Sequence, residues 1–450
     1  MTIARLNRAP VVALLLLGAG CAHYAEAPLE GAQSALTAPV SKVLAEQASA
    51  ITRPWLAATP VDLSAPLTPQ GVAALAVVNN PDLMALRARA GIADAQAFAA
   101  GLLPDPVFSA GAQKVLSGPD NLPSLLGALG FDLGALRTRA VTRERANAEA
   151  LQVRLDLAWA EWQTAGQARI EAARVVGLGR LVTLSQLSET ATRTQQVRLA
   201  QAAARGDVSA SEAETARIAA FDAGERLRAA QRELLAAQQQ LARLLGLPPD
   251  TLLALAPVAL PEVALPPARL FALATANRTD LAALRAGYVA QEAAVHKAVL
   301  DQFPTLGLSI NGDRDSTGNF LLGPSISFTL PLWNRNQGGI ATGRATREAL
   351  RLEYDARLFQ TRADIAAASA GIDLSRRQLD AAQTGLAGSQ TLAAASAQAA
   401  ARGDLSAATA MTADQALRDR ELLVAQSILA IREQTIALEL LSGTTREGWK

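Results

Sequence analysis

The chain has 450 residues, half of them hydrophobic, yet only 4 % are aromatic and 18 % charged; Ala and Leu carry the apolar count, which favours long helices with small faces. Lys and Arg total 42 against 41 for Asp and Glu, so there is no basic excess for neutralising nucleic-acid phosphates. One Cys, two His and three Met exclude an intrachain disulfide and leave little for a metal cluster or His-based catalysis.

At the N-terminus, Arg5 and Arg8 precede the apolar run Val11–Leu17 and the small residues Gly18, Ala19 and Gly20. These are the three parts of a secretory signal over residues 1–20. The run is shorter than the roughly 20 residues of a transmembrane helix, so cleavage is expected. Cys21 follows directly. The segment resembles the lipobox of bacterial lipoproteins, although Leu17 stands four residues before the Cys, where that family has Leu three before. The resemblance implies diacylglycerol and palmitate on Cys21, no other cofactor, and, with Ala22 rather than Asp next, release to the outer membrane. An ordinary signal with an incidental Cys is the alternative. Residues 21–66, rich in Ala, Pro and Ser without sustained periodicity, read as an extended linker.

Beyond the linker the chain is written twice. Asn79-Asn80-Pro81-Asp82-Leu83 reads like Asn277-Arg278-Thr279-Asp280-Leu281 at an offset of 198. Phe131-Asp132-Leu133 matches Phe328-Thr329-Leu330, Ala203-Ala204-Arg205-Gly206-Asp207 matches Ala400-Ala401-Arg402-Gly403-Asp404, and Leu244-Leu245-Gly246 matches Leu441-Ser442-Gly443, all at 197. The repeats span 67–246 and 267–443, with a stiff Pro-rich connector at 247–266 and a tail at 444–450.

Each repeat has one order of elements. A helical segment (about 67–103 and 267–302) runs into Pro104 or Pro304, which removes a donor and stops it. A hairpin follows, at about 105–137 and 305–333. In the second copy Leu306, Leu308 and Ile310, and later Ile326, Phe328, Leu330 and Leu332, alternate with small or polar residues, the period of a strand. Arms of about ten residues match a tilted strand crossing a bilayer. Then comes a long helix, about 140–204 and 340–401. Leu151, Leu155, Ala158, Trp162 and Ala165, and likewise Ile365, Ala368, Ile372, Ser375 and Leu379, step by three and four, the narrow seam of a coiled coil. Gly177 and Gly179 are candidate bends. The long helices should break at Gly206 and Gly403, where Gly supplies the C-terminal cap and Ser209 or Ser406 the next N-cap. Four strands per chain cannot seal an open sheet in lipid, so several chains are expected to close it.

This doubled plan resembles the TolC-type outer-membrane factors of tripartite efflux and type I secretion. The marks are the helix end at Phe303-Pro304, the segment Leu330-Pro331-Leu332-Trp333-Asn334-Arg335-Asn336-Gln337-Gly338 and the Gly-centred breaks; the Asn-Arg-Asn-Gln-Gly run resembles the heavy-metal, cobalt–zinc–cadmium branch. The resemblance implies a mainly α fold with membrane β. In a homotrimer the hairpins would form a 12-stranded β-barrel, continued by a periplasmic α-helical barrel. The duct would be passive, anchored in outer-membrane lipid, and would work with a periplasmic adaptor (membrane fusion) protein and an inner-membrane pump of the RND type. Its periplasmic end would lie at the helix breaks, which makes Asp207, Glu212, Asp404, Thr409, Thr412 and Asp414 gate candidates. Family members narrow this end with acids; Glu212 fits, whereas Thr409 and Thr412 replace the carboxylates of the second copy. Solvated helix caps are the other reading of these residues.

Alternatives are an exit duct for type I protein secretion and a structural coiled-coil lipoprotein that forms no channel. Catalysis has no support: His23 sits in the linker, His296 stands alone on a helix, and neither an HExxH, a GxSxG nor a Walker pattern occurs. The exported cargo, metal cation or small organic compound, is not written in the sequence.

Overall fold

The computed structural model describes residues 24–29, 39–119, 122–257, 259–260 and 265–449. The signal segment and Cys21 lie outside the described residues. The chain divides into two compact units, Met1–Pro39 and Val40–Lys450, and the architecture below is that of the second.

In chain order, the first repeat holds α2 (Pro69–Asn79), α3 (Pro81–Gly101), β1 (Val107–Gln113), β2 (Ser124–Asp132), α4 (Leu133–Arg205) and α5 (Ala210–Leu244), preceded by α1 (Ser41–Ala50). The second holds α6 (Pro267–Asn277), α7 (Thr279–Leu300), β3 (Leu306–Arg314), β4 (Phe320–Phe328), α8 (Gln337–Arg402) and α9 (Ala407–Ser442). The duplication is therefore structural as well as sequential. Helices α4 and α8 have 73 and 66 residues, about 110 and 100 Å at 1.5 Å per residue. Each folds back on its successor through a Gly in the left-handed region, Gly206 at φ 81° and Gly403 at φ 83°.

The seam of α8 is as the sequence predicts: Ile365, Ile372, Ser375 and Leu379 are buried, and the Ser375 hydroxyl reaches Gln434 Oε1 at 3.3 Å. In α4 Val141, Ala148 and Ala150 are buried ahead of Glu161, Trp162 and Ala165, while Leu151 is exposed. Gly177 and Gly179 do not break α4. At Gly177 the missing side chain instead lets α9 approach, since a Cβ there would lie 2.6 Å from Leu429 Cδ1.

Four sequence expectations need correction. The first helical segment of each repeat is two helices. In copy one Pro81 cannot donate to the preceding turn, and Asn80 caps the new helix by accepting from Leu83 N at 3.0 Å. In copy two Arg278, extended at φ −68°, ψ 117°, makes the break without proline. Second, the strands are seven or nine residues long; β4 ends at Phe328, so Leu330 and Leu332 lie beyond it. Third, residues 41–66 are not an extended linker throughout. They carry α1, bury Leu44, Ala48, Leu56 and Val61 against α2 and α4, and set Trp55 edge-on to Trp162 at 5.0 Å. Fourth, the 444–450 tail contains a 3₁₀ turn, Arg446–Trp449, and Trp449 packs beside Leu270, Ile365, Ile372 and Leu438.

Both hairpins join one antiparallel sheet in the order β1-β2-β3-β4. The central pairing, β2 with β3, crosses the two repeats, with Leu129 opposite Ile310 and Phe131 opposite Leu308. β1 and β4 are left as free edges.

Candidate functional site

The sheet and the helix tips are the two chemically distinctive ends of the molecule. No residue of the four strands is buried, so nothing packs over either face. Side chains alternate across a strand, and the register sorts them into rows. One face carries Phe108-Leu129-Ile310-Pro324 and, a step along, Phe131-Leu308-Ile326. The other carries Ser109-Ala128-Asn311-Gly323 and Val107-Gly130-Ser309-Ser325. On this second face Ser325 Oγ lies 2.8 Å from Ser309 Oγ and accepts from Asn311 Nδ2 at 2.8 Å. The first face satisfies no polar group and leaves Leu322 at 81 % and Ile326 at 68 % exposure. Contiguous apolar surface of this kind marks a membrane or a partner. The free edges add unpaired N–H and C=O groups, and Pro324 is tolerated in β4 because it is an edge strand.

The helix-to-sheet junction is held by two residues that the sequence reading missed. Arg137 donates to the carbonyls of Pro304 at 3.0 Å and Leu300 at 3.1 Å and lies 6.0 Å from the Phe303 ring centre. Arg139 donates to Leu102 O at 3.3 Å and to Gly101 O. From the start of α4 they cap the carbonyl ends of α7 and α3, the helices that feed the strands. A signal existed: arginines in the opening turns of a helix oppose its dipole, and such a run needs acceptors from elsewhere.

At the other end, the six gate candidates sit at the two breaks. Asp207 pairs with Arg205 at 2.9 Å and Asp404 with Arg402 at 3.0 Å. Ser209 and Glu212 form a capping box, and hydrogen bonds from the Ser209 N–H and hydroxyl hold the Glu212 carboxyl below its ordinary range. In the second copy Ser406 caps Thr409 N at 3.1 Å, with no acid to complete the box. Thr412 donates to Ala408 O at 3.0 Å, and Asp414 meets Arg418 at 2.8 Å. Asp207, Glu212, Asp404, Thr409 and Thr412 are exposed, and Asp414 is half-buried. Each is thus bonded within its own turn or helix, and the hairpins meet side by side through Arg226 and Asp419, 3.6 Å apart.

Among the described residues no helix is long and apolar enough to cross a membrane. The two-faced, open-edged sheet is continued by long helical hairpins. The family model of the outer membrane efflux proteins matches residues 270–444, almost wholly the second repeat. Solved structures share the fold over most of the chain. The outer-membrane channel OprN is 18 % identical, with 88 % of this chain and 97 % of that one covered at a TM-score of 0.70. The CmeC outer membrane channel of Campylobacter jejuni is 14 % identical over 83 % and 85 %, TM-score 0.70. The outer membrane protein VceC of Vibrio cholerae is 16 % identical over 84 % and 96 %, TM-score 0.69. No curated protein sequence matches the chain.

Proposed function

We propose that this chain is the outer-membrane channel subunit of a tripartite efflux system: a passive homotrimeric duct that carries small toxic solutes, metal cations or organic compounds, from a pump to the exterior. The observation that carries the reading is the sheet. Its apolar rows suit lipid and its Ser, Asn and Gly rows suit a watery lumen, the alternation of a transmembrane barrel. Four strands with two open edges would leave backbone groups unsatisfied in lipid at several kcal/mol each; joining β4 of one copy to β1 of the next removes every edge, and three copies give a 12-stranded barrel. The polar helices then extend into the periplasm, where an adaptor and an inner-membrane pump of the RND type would dock at the tips and supply the energy. Acylation of Cys21 would add an anchor to a protein the barrel already holds in the membrane.

Site-directed labelling tests the carrying observation. In a Cys21→Ser background, Ser309→Cys in reconstituted protein should react with a membrane-impermeant maleimide, while Leu308→Cys should be shielded by lipid. Equal labelling of the two neighbours rules out the barrel face assignment. Planar-bilayer conductance and the size of the unheated oligomer test the duct itself. Deletion should sensitise cells to Zn, Co or Cd if the cargo is metal, and to organic toxicants with metal tolerance unchanged if it is not. A Cys21→Ser chain that still took up labelled palmitate would remove the lipidation reading.

A further inference from the structure

Arg314 is the last residue of β3, at the end of the sheet away from the helices, and the register sets it on the apolar face: Leu125 is opposite on β2 and Phe320 on β4. The other charged residues of the four strands, Asp132 and Asp313, fall on the polar face by the same alternation. Arg314 is therefore the one charge on the apolar face. Its guanidinium carbon lies 5.9 Å from the centre of the Phe320 ring, and its Nε has no hydrogen-bond partner. Among the described residues no carboxylate forms an ion pair with it.

A cation on a lipid-facing surface is costly at the bilayer midplane and nearly free at the interface, where a long side chain can lift its head to the polar layer. At that depth the available anions are lipid phosphates, and a planar guanidinium matches a phosphate with two parallel hydrogen bonds. Phe320 backs the guanidinium from one side. With the helices on the periplasmic side, which is the channel reading on which this inference rests, the Arg314 end of the sheet reaches the outer leaflet. We propose that Arg314, supported by Phe320, binds a phosphate group of outer-leaflet lipid and fixes the depth of the barrel at its outer rim.

The test uses the full chain purified in detergent, with native mass spectrometry after addition of diphosphorylated or monophosphorylated lipid A. The wild type should retain the diphosphorylated lipid about fivefold more than the monophosphorylated one, the scale of one basic residue at a charged membrane surface. Arg314→Gln should lose that preference and Arg314→Lys should keep part of it. Excess inorganic phosphate should not displace the lipid; displacement would overturn the lipid as the source of the phosphate. Conductance is measured on the same preparations. A conducting Arg314→Gln channel with undiminished lipid preference overturns this proposal alone, whereas a wild type that forms no channel overturns the channel reading and the proposal with it.

Discussion

The two repeats solve one docking problem with different chemistry. In each, the break between the first two helices packs on the Gly that ends the repeat. In the first copy two neutral amides do this. Asn79 donates to the carbonyls of Leu245 and Gly246 at 2.8 and 3.0 Å, and Asn80 donates to Leu244 O at 3.0 Å. In the second copy a buried cation replaces them. Arg278 holds Asp280 through two bonds of 2.9 and 2.7 Å, lies 4.6 Å from the Trp159 ring centre, and donates to Leu441 O at 3.4 Å. The backbone requirement is shared, a left-handed Gly at 246 and 443, and the side chains that meet it are free to diverge. What duplication keeps is the geometry of the chain, not its polar chemistry.

The largest expected effect breaks that comparison at its charged member. Arg278→Ala would strand Asp280, whose only other basic partner among the described residues is Arg357 at 3.4 Å. Both Arg278 and Asp280 are buried, so the cost should be about 3–5 kcal/mol. Asn80→Ala loses a cap and one carbonyl bond, about 1–2 kcal/mol. Thermal midpoints of the solubilised protein should therefore fall further for Arg278→Ala; equal shifts would mean the ion pair is no more than a neutral tether.

A second comparison separates two glycines with similar backbones. Gly206 and Gly246 both have positive φ, 81° and 63°, so Ala at either costs about 1 kcal/mol of left-handed strain. Around Gly206 there is open space, while a Cβ on Gly246 would run into the backbone carbonyl of Asn79. Gly246→Ala should then cost about 3 kcal/mol against about 1 for Gly206→Ala, measured by the same melts. A cost at Gly206 as large as at Gly246 would show that the tip is packed in the assembly.

The sequence revealed the duplication, the helix breaks and the sheet because each rests on local rules: a left-handed Gly followed by a capping Ser, period-two alternation, and a repeated offset. It did not reveal what depends on distant partners. Nothing near Arg278 in the chain says that its guanidinium will close a helix break, and nothing near Leu133 says that α4 begins directly after β2 while Thr329–Asn336 separates β4 from α8. The reading of 41–66 as linker failed for the same reason. Its few apolar residues, Leu44, Leu56 and Val61, look unpatterned until α2 and α4 provide a surface, and Arg53 has no visible role until Glu161 lies 108 positions further along the chain.

That contact sets a pH prediction. Burial pushes the Glu161 carboxyl up, but hydrogen bonds and charge from Arg53 and Arg87 outweigh it and leave it below its ordinary value of 4.5. A depressed folded-state value means the stabilisation is complete above the unfolded-state value and disappears as pH falls through the lower folded one. The strap around Arg53 should therefore loosen only in acid below about pH 4.5, the ordinary glutamate range, seen as loss of the near-UV signal of the Trp55–Trp162 pair. Glu161→Gln should cost about 2 kcal/mol at neutral pH and remove the acid transition. An unchanged transition in that variant would assign the event to another group.

The smallest effect lies at the tips, where the copies differ by one carboxylate. Glu212 completes a capping box with Ser209, and Thr409 at the matching place does not. Glu212→Ala should lower helix stability by about 0.5–1 kcal/mol, and Thr409→Glu should restore a box and raise it by a similar or smaller amount. Neither change would shift the melting of so large a protein far, so stability alone says little about a gate. Conductance separates the two roles. If the tips line a narrow opening in the trimer, Thr409→Glu adds three charges to it and Glu212→Ala removes three, which should alter cation selectivity in opposite directions at low salt and converge at high salt, where charges are screened. Selectivity that ignores both substitutions would leave Glu212 as a helix cap and move the constriction elsewhere along the hairpins.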